Sequence, residues 1–297
     1  MFDAKMFRML KNRHAAHSHR LFGPVRRAAA AAVVLAVSVP LAGCADAISM
    51  SDITGPMITI GIAYDRPGVA LEQSGEMSGL DVDVAKYVAN RLGYAEDQIV
   101  WREASNANRD ELLNEGDVNM IVGVHRYLDG KADDIEFAEP YLTSGQDLLI
   151  RDSDSRIITG ASDLDGRTVC IVDGYLDSTV SDWLESAGAS TLEGRNYSEC
   201  ATALLSGTVD AVEGDDVILA GLAENVGSGS LRLLGKPIES LEYGIALPSG
   251  DSKLRDNVDD ALQRMVNDGS WAQSVAWNFG DGSYQVDSLI QPNDSDD

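Results

Sequence analysis

The sequence predicts an α/β fold, and two observations carry that expectation. Short apolar runs of strand length alternate with segments whose apolar residues recur at helical spacing, and this alternation restarts near Arg167. A charge-free apolar stretch near the beginning stands apart from both runs and reads as a leader.

The leader comes first in the chain. Residues 28–43 are uncharged, rich in alanine and short for a membrane-spanning helix, and they follow Lys5, Arg8, Lys11, Arg13, Arg20, Arg26 and Arg27. They end in Leu41-Ala42-Gly43-Cys44, small residues ahead of a cysteine. The pattern resembles a bacterial lipoprotein signal. That resemblance implies cleavage of residues 1–43, a lipid on the Cys44 thiol and attachment to the outer face of the cell membrane. The polar residues 44–56 suit a flexible tether.

The folded elements start at Met57. Residues 57–64 form an apolar strand; Val82, Val84, Ala85, Val88, Ala89 and Leu92 then repeat at helical spacing and stop at Gly93. Strand 99–102, helix 109–114 and strands 118–122 and 147–151 follow. The second run comprises strand 168–172, helices 180–187 and 198–205, strand 209–212 and helix 217–226. Strand 243–248 precedes a helical region over 254–279, and the acidic tail 285–297 is expected to be disordered.

Charge excludes one class of partner. The chain has 23 basic and 48 acidic residues; 7 basic and 1 acidic lie in residues 1–43, so the remainder carries 16 against 47, a net charge near −31. Such a surface repels phosphates, and no basic stripe relieves it, so nucleic acid is not expected as a partner. Because the acids are scattered rather than clustered, they read as a solvated exterior.

Beyond Cys44 the chain has two cysteines, Cys170 and Cys200. In an exported protein such a pair is expected to form a disulfide, stabilising by about 3 kcal/mol through the closed loop. A metal centre lacks ligands, because His125 is the one histidine past the leader and no Cys-x-x-Cys or His-x-x-x-His spacing occurs. No cofactor is expected, and catalysis finds no support in the motifs, since a Gly-rich phosphate loop followed by Lys-Ser/Thr is missing, as is Gly-x-Ser-x-Gly.

Several short motifs in order carry a family resemblance: Tyr64-Asp65-Arg66-Pro67-Gly68, Gly79-Leu80-Asp81-Val82-Asp83-Val84-Ala85, Trp101-Arg102-Glu103, Phe137-Ala138-Glu139-Pro140-Tyr141, Val209-Asp210-Ala211-Val212 with Asp215-Asp216, and Tyr243-Gly244-Ile245-Ala246. Together they resemble the extracellular solute-binding proteins of polar amino-acid ABC importers (family 3), in particular actinobacterial glutamate-binding lipoproteins. The resemblance implies a two-lobed periplasmic-binding-protein-like fold of type II, with a ligand cleft between lobes joined by two hinge strands. Lobe 1 would be 57–146 plus 247–284, lobe 2 would be the inserted 150–242, and the hinges would be 146–149 and 244–247. Closure around the ligand is the expected motion.

A free amino acid presents an α-carboxylate and an α-ammonium, so its binder needs a cation in one place and a carboxylate in another. The family's carboxylate-gripping arginine falls at Lys131, and its small hydroxyl partner at Arg126; both become candidates, Arg126 because it follows the strand 118–122, beside Gly123. Lys lacks the planar fork of Arg. Asp215 stands where the family's ammonium-binding carboxylate stands, and can also cap the helix that follows. Arg109, after Asn106, matches an arginine that some glutamate-binding relatives direct at a side-chain carboxylate; otherwise it is a surface arginine. Tyr64 would stack on the ligand or pack. The second lobe departs from the pattern: Asp173-Gly174-Tyr175-Leu176-Asp177-Ser178-Thr179 replaces a Gly-Ser-Thr-like loop, leaving Ser178 and Thr179 as its candidate donors.

The function implied is capture of a polar amino acid, glutamate- or glutamine-like, by a monomeric subunit that docks on an ABC permease and its ATPase, with no catalysis on this chain. Two alternatives stand beside it: a lipoprotein that reports ligand to a membrane receptor, and a dehydratase on the same fold, which would need a positioned acid or base.

Overall fold

The computed structural model describes residues 55–105, 108–125, 135–172, 178–238 and 240–280, together with Tyr284, Val286 and Ile290. Strand β1 (Ile58–Ile62) is followed by three short strands, β2 (Asp65–Arg66), β3 (Ala70–Gln73) and β4 (Glu76–Ser78), and by helix α1 (Leu80–Arg91). Next come β5 (Ile99–Glu103), α2 (Arg109–Asn114), β6 (Met120–His125), β7 (Ile135–Phe137) and the ten-residue β8 (Leu142–Arg151). A second series runs β9 (Thr168–Val172), α3 (Ser178–Ser186), β10 (Ser190–Gly194), α4 (Tyr197–Ser206), β11 (Ala211–Asp215), α5 (Asp216–Asn225) and β12 (Leu231–Leu233). The chain closes with β13 (Ser240–Pro248), α6 (Ser252–Asn267) and α7 (Ser270–Phe279).

Burial explains the helices. In α6, Leu254, Val258, Ala261, Leu262 and Met265 are buried at i, i+4, i+7, i+8 and i+11, and Asp251 caps the start by accepting the Leu254 amide at 2.8 Å. The expected single helical region over 254–279 is two helices, because the chain turns through Gly269 at φ 82°.

The strands form one continuous sheet in the order β10-β9-β11-β8-β13-β6-β1-β5, with β12 added to β8 and β7 to β13. In one half β1 runs parallel to β5 and β6; in the other β9 runs parallel to β10 and β11. Two antiparallel strands belong to both. Residues 142–145 of β8 pair with 240–243 of β13, after which β8 continues against β11 through 146–150 and β13 continues against β6 through 243–246. This is the two-lobed α/β architecture, with the halves joined by a pair of crossing strands. Strands β2, β3 and β4 make a separate small sheet beside the first half.

The disulfide expected between Cys170 and Cys200 is present, tying β9 to α4 inside the core of the second half. Gly194 lies against it, where an added Cβ would come within 2.7 Å of the Cys200 sulfur.

Candidate functional site

The two halves meet over a cavity of about 150 Å³ lined from the first half by Tyr64, Arg66, Glu103 and Ser105, and from the second by Arg195, Asn196 and Tyr197. A gap of about 10 Å³ adjoins it, lined by Arg66, Ser105, Arg109 and Gly123. Larger cavities of about 530 and 540 Å³ lie elsewhere, one between α5 and β12 and one between α1 and α7.

Buried charges of both signs gather at the junction. Arg66 is 4% exposed, Arg109 is 3% exposed and Asp215 is 2% exposed. Burying such groups is costly unless they are partnered, and their concentration here makes the junction the candidate site. Arg66 Nη1 donates to the carbonyl of Gly123 at 3.1 Å. Gly123 offers that carbonyl from a left-handed backbone, φ 79°, and an added Cβ would fall 2.1 Å from the Asp81 carboxylate. Asp81 in turn accepts the Tyr141 hydroxyl at 2.6 Å, and Asp215 accepts the Tyr243 hydroxyl.

The two tyrosines report the field around Arg66. Burial, then the Asp81 charge, pushes the Tyr141 hydroxyl well above its ordinary value of 10.0, while Arg66 pulls it back. Burial, then Asp215, does the same to Tyr243, again opposed by Arg66. One guanidinium therefore acts on both tyrosine–carboxylate pairs, one from each half of the molecule.

Asp215 ends β11 and occupies the N-cap position of α5 without bonding its own helix. Arg109, the first residue of α2, is a buried side chain rather than a surface one, with Nε 3.3 Å from the Asp110 carboxylate. Tyr64 is half-buried on the cavity wall, its hydroxyl raised by burial and by Glu103. Ser178 begins α3 and Thr179 is exposed in its first turn. Asn106, Arg126, Lys131 and Cys44 lie outside the described residues, as does the side chain of Ser178.

Arg66 was not among the sequence candidates. The available signal was its place in Tyr64-Asp65-Arg66-Pro67-Gly68, a charge between a strand end and Pro-Gly. Asp81 and Tyr141 also sat in noted motifs, but periodicity does not reveal that they bond to each other.

Comparison with known proteins assigns the chain to a family. The model for bacterial extracellular solute-binding proteins, family 3, matches residues 58–281. The chain belongs to that family. Like the family, it is an extracytoplasmic solute-binding protein rather than an enzyme. It is 35% identical over 276 residues to the glutamate-binding protein GluB of Corynebacterium efficiens, covering 88% of this chain and 93% of the relative. It is 32% identical over 218 residues to the glutamine-binding protein GlnH of Bacillus subtilis, covering 72% and 78%. Among solved structures, an ancestral arginine-binding protein bound to arginine superposes with a TM-score of 0.65 at 23% identity, covering 76% of this chain and 99% of that one. The GluR0 ligand-binding core in complex with L-glutamate gives 0.62 at 21%, covering 76% and 100%. These structures establish the fold of this family 3 protein.

Proposed function

We propose that this family 3 protein captures a polar amino acid, glutamate- or glutamine-like, and delivers it to an ABC permease driven by a partner ATPase. The observation that carries the reading is that buried Asp215 and buried Arg66 act with opposite signs on the Tyr243 hydroxyl, while buried Arg109 shares a gap with Arg66. A zwitterion requires a carboxylate for its ammonium and planar cations for its carboxylate, and both are provided in a water-poor setting that strengthens them. Asp215 takes the ammonium; Arg66 and Arg109 face carboxylate groups. Tyr64 lines the junction cavity and Gly123 the gap beside it, and Asn106, Arg126, Lys131, Ser178 and Thr179 complete the candidate ligand set. The sequence relatives named for glutamate and glutamine support this class of ligand.

The lobes are 57–146 plus 247–284 and 150–242, with hinges at 146–149 and 244–247 on the two crossing strands. The mature chain starts at Cys44, whose lipid holds a monomer at the outer membrane face. Labelling with a radioactive fatty acid tests the anchor: wild type incorporates label and Cys44→Ser does not, whereas equal labelling ends the lipoprotein reading.

A thermal-shift panel of the proteinogenic amino acids tests the main reading, because a ligand that binds the native state raises the melting temperature by mass action. The expected result is a shift for one or a few polar amino acids. A panel with no shift at millimolar concentrations contradicts it.

A further inference from the structure

Helix α4 opens in the second half of the molecule with three amides that the helix itself does not satisfy. Asn196 accepts the Glu199 amide at 2.8 Å. The Tyr197 amide is taken by a residue 132 positions away: Asp65 Oδ2, on β2 of the first half, accepts it at 2.7 Å, while Asp65 Oδ1 accepts the Ser198 hydroxyl at 2.7 Å. A carboxylate at the positive end of a helix is favoured, and here it is supplied across the junction rather than from the helix's own chain.

The contact is continued by backbone. An added Cβ on Gly221, in the middle of α5, would lie 1.6 Å from the Pro67 carbonyl oxygen and 3.3 Å from the Gly68 Cα. The segment 65–68 therefore lies across the second half, capping α4 with Asp65 and resting on α5 with Pro67 and Gly68. The Tyr197 ring it secures packs on Gly214, next to Asp215, where an added Cβ would be 2.7 Å from that ring.

We propose that Asp65 is a positioning residue that latches the cleft shut, capping α4 in trans so that ligand release requires breaking its two bonds. The proposal rests on the solute-binding reading of the same site. Asp65 lies on the wall of the junction cavity, and its two bonds across the junction set how long the halves stay together. Breaking a cap of this kind speeds opening and leaves encounter with the open cleft unchanged, so the effect falls on the release rate.

The test uses L-glutamate and L-glutamine as probes on the full chain, with release and association rates measured by stopped flow and exchange of the Tyr197 amide followed by mass spectrometry. Asp65→Ala is expected to raise the release rate about tenfold, the size of a lost helix cap, and to change association by less than about twofold. It should also speed exchange at Tyr197. Asp65→Asn keeps an acceptor and should fall between Asp65→Ala and wild type. Gly221→Ala, which leaves Asp65 intact but places a methyl against Pro67, should raise release as well. Asp65→Ala with wild-type release and wild-type Tyr197 exchange overturns the latch. If neither probe binds wild type, the ligand reading fails separately, and the exchange measurement alone decides the latch. If Asp65→Ala does not fold, Ser198→Ala removes one of the two bonds at an exposed position and carries the same test.

Discussion

The carboxylate of Asp215 occupies the N-cap position of α5, yet it bonds the buried hydroxyl of Tyr243 on a crossing strand instead of its own helix. That choice aims the acid at the junction of the two halves. It also couples the candidate ammonium-binding group to the strand pair through which the halves connect.

Removing the donor should therefore be costly. Tyr243→Phe leaves a buried carboxylate short of a hydrogen bond while changing almost no volume, and is expected to destabilise the protein by about 1–3 kcal/mol. Urea unfolding at neutral pH measures it, and a variant as stable as wild type would contradict the stated role of the pair.

Alkali provides a second expectation. Tyr141 and Tyr243 have hydroxyls held well above their ordinary value of 10.0 by burial and by Asp81 and Asp215. For a group whose neutral form is favoured by folding, the stabilisation is complete below the unfolded value and is lost as pH rises above it, because the unfolded chain then releases protons the folded chain keeps. Stability should decline above about pH 10, and less steeply in Tyr141→Phe than in wild type. Tyrosinate absorbance for both residues should appear only with unfolding. Titration of both hydroxyls in the folded protein near pH 10 would refute this.

The disulfide provides a third. Cys170 and Cys200 are 30 residues apart and buried in the core. Replacing both by serine should cost about 3 kcal/mol, from the freed loop of the unfolded chain together with two polar groups placed in apolar surroundings. Denaturant midpoints of the variant and wild type decide it; coincident midpoints would show that the bond contributes nothing.

Where the sequence was readable, one face of an element was apolar. Strand 58–62, helix 80–91 and strand 168–172 carry enough buried aliphatic residues for periodicity to find them. Strand β10 was missed because four of its five residues are exposed at the sheet edge, and β2 to β4 because they are short, polar and joined by tight turns. Strand β11 extends past the apolar Val212 to Asp215, since Gly214 receives the Tyr197 ring and Asp215 receives the Tyr243 hydroxyl. Arg109 read equally well as a surface helix residue, and Arg66 as part of a turn motif. Their burial depends on chain segments far away in sequence, which no local pattern records.

The central claim is that Asp215 and Arg66 hold opposite ends of an amino acid. Calorimetric titration of wild type, Asp215→Asn and Arg66→Gln with the amino acid found by the thermal-shift panel tests it most directly. Each substitution should weaken binding by about 2–5 kcal/mol, the range for truncating one partner of a buried charge pair, with far-ultraviolet circular dichroism unchanged. Wild-type affinity in both folded variants would contradict the assignment of ammonium to Asp215 and carboxylate to Arg66.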